Sequence, residues 1–120
     1  NATKAMEMLD ILDLAHEIPM NLSAGQKQRV ILASVLAMKP KILILDEPSA
    51  HLDLKGKQRL KSWLEQINRE LKTTIIIIDQ NPWLIGDLCS ELYLLENKTV
   101  KKAARDDLLE KSPAWVWKSA

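Results

Sequence analysis

The residues best suited to chemistry lie in three short stretches of this 120-residue chain. Asp46 and Glu47 follow four consecutive aliphatic residues, Ile42-Leu43-Ile44-Leu45, and precede Pro48. A carboxylate at the end of such a run can hold a divalent cation, and a second beside it can act as general base toward water. Alone, an Asp-Glu pair after a strand is a loop with two solvated acids; the apolar run before it and Pro48 after it shift the reading toward function. Ser23, Gly25 and Gln26 form the second stretch. Ser23 with Gln26 three positions later fits a capping box at a helix start. Unpaired N–H groups there favour an anion, and Gly25 lets the backbone approach one closely. The spacing alone supports only the plain capping box, and Lys27 and Arg29 are commonplace on an exposed helix. The third stretch closes another aliphatic run, Ile75 to Ile78, with Asp79 and Gln80.

The elements that position these residues follow from periodicity and punctuation. Ala5, Met8, Leu9, Leu12 and Ala15 recur at helical spacing, which predicts an amphipathic helix over about the first fifteen residues. Pro19 ends that segment or marks the linker after it. A second helix starts at Ser23, runs through Val30, Ile31, Val35 and Leu36, and stops before Pro40. Ile42 to Leu45 is apolar at every position, the pattern of a parallel strand covered on both faces. A helix from about Lys55 to Leu71 carries Leu60, Leu64, Ile67 and Leu71 on one stripe. Thr74 to Ile78 reads as a second buried strand, and Asn81-Pro82 as an N-cap followed by Pro at the first helical position. Leu92 to Leu95 and Thr99 to Lys101 pair as a hairpin around Asn97-Lys98. A short helix is predicted near Asp106 to Glu110. In a strand, Trp115 and Trp117 around Val116 would share one face, which either covers an edge of the core, the favoured reading, or contacts another subunit. Strand, helix, strand with both strands apolar is a βαβ unit, and ligands of such sheets gather at the carboxyl ends of the strands. Asp46, Glu47, Asp79 and Gln80 fall there.

Composition narrows the function classes. Hydrophobic residues make up 47% and charged residues 28%, ordinary values for one small globular domain. A net charge of +1 gives no global pull toward nucleic acid. No aliphatic run approaches the roughly 18 residues of a membrane span, and no signal-peptide pattern opens the chain, so a cytosolic location is expected. Cys89 is the single cysteine and reads as a small buried apolar residue.

Leu22-Ser23-Ala24-Gly25-Gln26-Lys27-Gln28-Arg29 resembles the signature motif of ATP-binding-cassette (ABC) ATPases. Ile42 to Glu47 is similar to the Walker B strand of that family, and Ser49-Ala50-His51-Leu52-Asp53 to its D-loop. The three occur in the family's order and spacing, and the likeness covers essentially the whole chain. Val35-Leu36-Ala37-Met38-Lys39-Pro40 is close to the ATPase subunits of energy-coupling-factor importers. The resemblance implies an α/β fold: a partial P-loop NTPase core of parallel strands with flanking helices, plus part of the ABC helical subdomain. Residues 1–40 would form the helical subdomain and signature helix, and residues 41–120 the Walker B, D-loop, switch strand and C-terminal elements.

The resemblance also implies a head-to-tail dimer with a second ABC ATPase subunit of the same or a different kind, docked on transmembrane transporter subunits at the inner face of the membrane. ATP with Mg2+ would lie between the Walker motifs of one subunit and the signature of the other. Ser23, Ala24, Gly25 and Gln26 would then serve the partner's nucleotide. Asp46 would hold Mg2+, Glu47 would be the catalytic base, and Asp53 would touch the partner. His51 falls at a variable position and reads as a surface residue.

Three departures stand out. Ala24 replaces the commoner Gly, a mild change because Gly25 is kept. Gln80 stands where the family usually has a His that reaches the terminal phosphate; Gln still hydrogen-bonds but carries no charge. A slow or silent site on this subunit is expected, with its signature supporting a competent site on an asymmetric partner. Lys98 stands where a Gly often follows Asn, and a turn that is looser or of another type is expected there. A phosphate-cradling G-x-x-x-x-G-K-[ST] is absent. The only glycines are Gly25, Gly56 and Gly86, and five residues after them stand Val30, Lys61 and Glu91. A longer subunit is therefore expected, as is an open edge on the Ile42 to Leu45 strand. Two rival readings remain: a non-transport cassette ATPase, and a non-enzymatic pseudo-cassette that donates only its signature helix.

Overall fold

The computed structural model describes residues 2–81, 86–88 and 90–106, together with the backbone of 115–119. The chain divides into two compact units, Asn1–Pro40 and Lys41–Ala120. In the first unit, helix α1 (Ala2–Met8) packs on helix α2 (Ala24–Ala37), with two 3-10 turns at Leu12–Leu14 and Pro19–Asn21 between them. The predicted fifteen-residue helix ends early. Asp10 takes a left-handed φ of 56°, Asp10 N–H donates to the Glu7 carbonyl, and Ile11 N–H donates to the Met6 carbonyl. That pair of bonds is a Schellman stop, and Asp tolerates the left-handed position better than most residues. The stop buries Leu9 and Ile11 fully, whereas Leu12 and Ala15, expected on the apolar stripe, are exposed. In α2 the buried positions are Ala33 and Leu36, and Ile31 faces outward.

Among its described residues the second unit holds a five-stranded sheet and one long helix of 18 residues. Strand β1 (Ile42–Asp46), helix α3 (Leu54–Leu71) and strand β2 (Thr74–Asp79) form the βαβ unit. The two strands pair in parallel from Ile42 opposite Thr74 to Asp46 opposite Ile78. Strand β3 (Glu91–Glu96) and strand β4 (Thr99–Ala103) form the hairpin. Strand β5 (Trp115–Ser119) runs antiparallel to both β2 and β3, giving the order β1-β2-β5-β3-β4. The tail thus fills the middle of the sheet, a long-range pairing that no local pattern encodes. The predicted helix near Asp106 to Glu110 lies outside the described residues beyond Asp106, as do Pro82 and Cys89.

Helix α3 carries the predicted stripe. Leu60, Leu64 and Ile67 are buried, as are Leu43, Ile75 and Ile77 of the strands. The helix opens on Asp53 as N-cap and closes at Lys72, whose left-handed backbone (φ 55°) returns its N–H to the Asn68 carbonyl. Coverage of β1 on both faces is not observed. Ile42 and Ile44 are 58% and 63% exposed, because among the described residues α3 covers only the face of Leu43 and β1 is the edge strand. The expected open edge is therefore present. The hairpin turn is also not looser than usual: Asn97 and Lys98 both take positive φ, 50° and 62°, between paired Glu96 and Thr99. That is the two-residue turn whose twist suits a hairpin, and Lys98 adopts it despite its Cβ.

Replacing Ile67, fully buried on α3, by Ala should lower unfolding stability by about 2–5 kcal/mol in a urea titration. Lys98→Gly should raise it by about 1 kcal/mol, since a left-handed non-glycine residue is relieved.

Candidate functional site

Parallel pairing brings the carboxyl ends of β1 and β2 side by side. The ladder continues one step past β1, where Glu47 N–H donates to the Ile78 carbonyl at 2.6 Å. Glu47 then takes a left-handed backbone, φ 46°, an uncommon state for a non-glycine residue and one that turns the chain sharply off the strand. Two short turns follow, with Ala50 N–H on the Glu47 carbonyl and Leu52 N–H on the Ser49 carbonyl. His51, also left-handed at φ 62°, completes the loop into α3.

At this junction Gln80 Nε2 donates to Glu47 Oε1 at 2.9 Å. The two residues flank an open cleft of about 400 Å3 lined also by Ser49, His51, Lys57 and Asp79. Asp46 precedes Glu47 at the strand end with an exposed side chain. Among the described residues no group of three or more His, Cys, Asp or Glu is arranged to hold a metal ion. Mg2+ does not require such a cage, since it is bound by one or two carboxylates completed by phosphate oxygens and water. Asp46 fits that mode.

Strand alternation separates neighbours here. Ile75, Ile77 and Asp79 face the core, and Gln80 lies beyond the strand end, exposed. Asp79 is 3% exposed and is met by Ser49 N–H (3.0 Å) and Ser49 Oγ (2.8 Å), which brings a buried polar pair into the strand end. Sequence reasoning placed Asp79 at the strand end and Ser49 in the loop after Pro48, but did not foresee that Asp79 is buried against Ser49. The signal was present, since Asp79 continues the two-residue period of Ile75 and Ile77.

Asp53 has a structural duty of its own. Its Oδ1 accepts Gly56 N–H at 2.7 Å and so caps α3. A Cβ on Gly56 would sit 3.0 Å from that oxygen and 3.2 Å from Leu52 Cβ, so the glycine makes room for the cap.

In the first unit, the capping box is formed in both directions. Gln26 N–H donates to Ser23 Oγ at 3.2 Å, and Ser23 N–H donates to Gln26 Oε1 at 2.8 Å. A hydroxyl that accepts still has its own proton to give, so the cap leaves Ser23 a donor. Gly25 has a negative φ, and a Cβ added to it would meet nothing within 4 Å. Neither backbone conformation nor packing among the described residues calls for a glycine there. Ala24 beside it is exposed.

With the geometry of the motifs described, the chain can be compared with known proteins. The sequence model of the family described as ABC transporter matches residues 1–50. The sulfate/thiosulfate import ATP-binding protein CysA of Escherichia coli K12 is 36% identical over 112 residues, 93% of this chain and 31% of that protein. The solved structure of cbiO1 from Clostridium perfringens, part of the ABC transporter complex cbiONQ, superposes with a TM-score of 0.81 at 32% identity, over 92% of this chain and 44% of that one. The chain belongs to the ABC ATPases. A Pyrococcus horikoshii protein described as an ABC transporter ATP-binding protein is 44% identical over 88% of this ABC ATPase chain. The chain spans about a third of the length of these curated relatives, 31% and 38%.

Because Gly25 answers no need among the described residues of this ABC ATPase chain, Gly25→Ala should raise its thermal stability, by about 0.4–1 kcal/mol, through loss of unfolded-state entropy. A melting temperature equal to or below the parent's would show an internal role for the glycine.

Proposed function

We propose that this chain is the signature-bearing part of the ATP-binding subunit of an ABC-type membrane importer, coupling ATP hydrolysis to transport. The observation that carries this reading is the 2.9 Å hydrogen bond from Gln80 to Glu47 at the carboxyl ends of a parallel strand pair. It joins a potential general base to a residue from the next strand that can orient it. In this reading Asp46 holds Mg2+ and Glu47 takes a proton from the attacking water. Gln80 fixes the Glu47 carboxylate as a neutral donor. The Mg2+ supplies charge neutralisation on the phosphate oxygens when bound.

Ser23, Ala24, Gly25 and Gln26 serve the nucleotide of a second ATPase subunit in a head-to-tail dimer. Support comes from the hydroxyl proton that the capping box leaves to Ser23 and from the open space at Gly25. The free N–H groups of the helix start suit a phosphate. Asp53 shapes the loop that meets the partner, with its cap to Gly56 fixing the start of α3. The importer assignment rests on the likeness to CysA and to cbiO1, the latter part of a transporter complex. Membrane subunits are the implied partners, and the cytoplasmic face of the membrane the implied site. None of the helices among the described residues is long and apolar enough to cross a membrane.

Gln80 favours a second reading, a pseudo-cassette that donates only its signature. A neutral amide gives a terminal phosphate less electrostatic help than an imidazolium would. The two readings part on Glu47. In the complete, assembled transporter, Glu47→Gln should lower ATP hydrolysis by about 10²-fold or more. An unchanged rate would leave the pseudo-cassette standing. Ser23→Arg in the same assembly should impair the partner's site, read as loss of hydrolysis with the subunit still folded and assembled.

A further inference from the structure

The proposed chemistry gives Asp79 no role, yet its carboxylate is the most heavily engaged acid at the site. It is 3% exposed and takes three hydrogen bonds: Ser49 N–H to Oδ2 at 3.0 Å, Ser49 Oγ to Oδ1 at 2.8 Å, and Asn81 N–H to Oδ1 at 2.8 Å. A buried carboxylate needs such donors, because without them it would face the full cost of desolvation. The placement of the donors is informative. The two from Ser49 grip the turn two residues after Glu47, and Ser49 is itself buried. The third, from Asn81, closes an Asx turn around Gln80. One carboxylate therefore fixes the backbone beside both members of the Gln80–Glu47 contact. Glu47 needs that hold, since its left-handed backbone (φ 46°) relaxes unless its surroundings enforce it.

We infer that Asp79 is a positioning residue for hydrolysis, clasping Ser49 on one side and Asn81 on the other so that Gln80 meets the Glu47 carboxylate in one fixed geometry. The inference rests on the reading of Glu47 as general base. Asn cannot replace Asp79. Its amide has one acceptor oxygen, and its NH2 group would face the Ser49 N–H, donor against donor. Ser49→Ala removes one of the three bonds and keeps the two from the backbone N–H groups of Ser49 and Asn81. Ser49→Thr keeps the hydroxyl and both bonds.

The test is steady-state MgATP hydrolysis by the complete subunit in its assembled transporter, with kcat and KM separated and folding followed by circular dichroism. Asp79→Asn should lower kcat by about ten- to hundredfold while KM changes less than about twofold. Ser49→Ala should lower kcat by less, Ser49→Thr should restore it, and the double variant Asp79→Asn with Ser49→Ala should be no slower than Asp79→Asn alone. Glu47→Gln is run beside them. Loss of activity in Glu47→Gln with a parental kcat in Asp79→Asn overturns the clasp and leaves the reading of Glu47 intact. An unchanged Glu47→Gln overturns that reading and the clasp with it. Should Asp79→Asn fail to fold, Ser49→Ala decides, and a parental kcat in that variant overturns the inference.

Discussion

The parallel register of β1 and β2 is the constraint on which the second unit depends. It sets Asp46 opposite Ile78 and extends through the Glu47 N–H to the Ile78 carbonyl. By that extension, residues 33 positions apart in sequence reach hydrogen-bond distance. Backbone bonds alone would not hold the register. The buried side chains Leu43, Ile75 and Ile77 on the strands and Leu60, Leu64 and Ile67 on α3 remove apolar surface from water, and a one-residue slip would turn the strand residues to the wrong face. The aliphatic runs are thus the reason that the polar strand ends converge.

Alternation then separates two neighbouring polar residues into different tasks. Asp79 ends β2 on the buried side and must find donors inside; Gln80 lies past the strand and reaches the exposed Glu47. The buried acid shapes the loop and the exposed amide meets the carboxylate. Left-handed backbone at Glu47 and His51 marks the same loop, where the chain must leave the strand and re-enter a helix within a few residues. Such conformations persist when surrounding bonds over-determine them, and the bonds of Asp79 with Ser49 do so here.

Helix capping links structure and proposed role in both units. Ser23 and Asp53 each accept a backbone N–H three residues ahead. For Ser23 the cap consumes a lone pair and leaves a proton. For Asp53 it consumes one carboxylate oxygen. A residue can therefore end a helix and still present a group outward, and a capping box is no argument against a binding role.

Much of this protein was determined by near-neighbour physics and is legible in the sequence. The capping box at Ser23, the stripe of α3, the βαβ order, the hairpin around Asn97-Lys98 and the strand-end placement of Asp46, Glu47, Asp79 and Gln80 all follow from spacing within a few residues. The motifs that mark an ABC ATPase belong to the same class of signal. Tertiary structure alone decided the rest. It stopped α1 at Met8, where burial of Leu9 and Ile11 outweighs the continued helical stripe of Leu12 and Ala15. It left Ile42 and Ile44 exposed on an edge strand whose composition reads as buried, and it threaded β5 between β2 and β3. It also joined Asp79 to Ser49 and Gln80 to Glu47. Those outcomes depend on contacts between residues tens of positions apart, and a periodicity read along one chain contains no information about which distant strand will lie beside it.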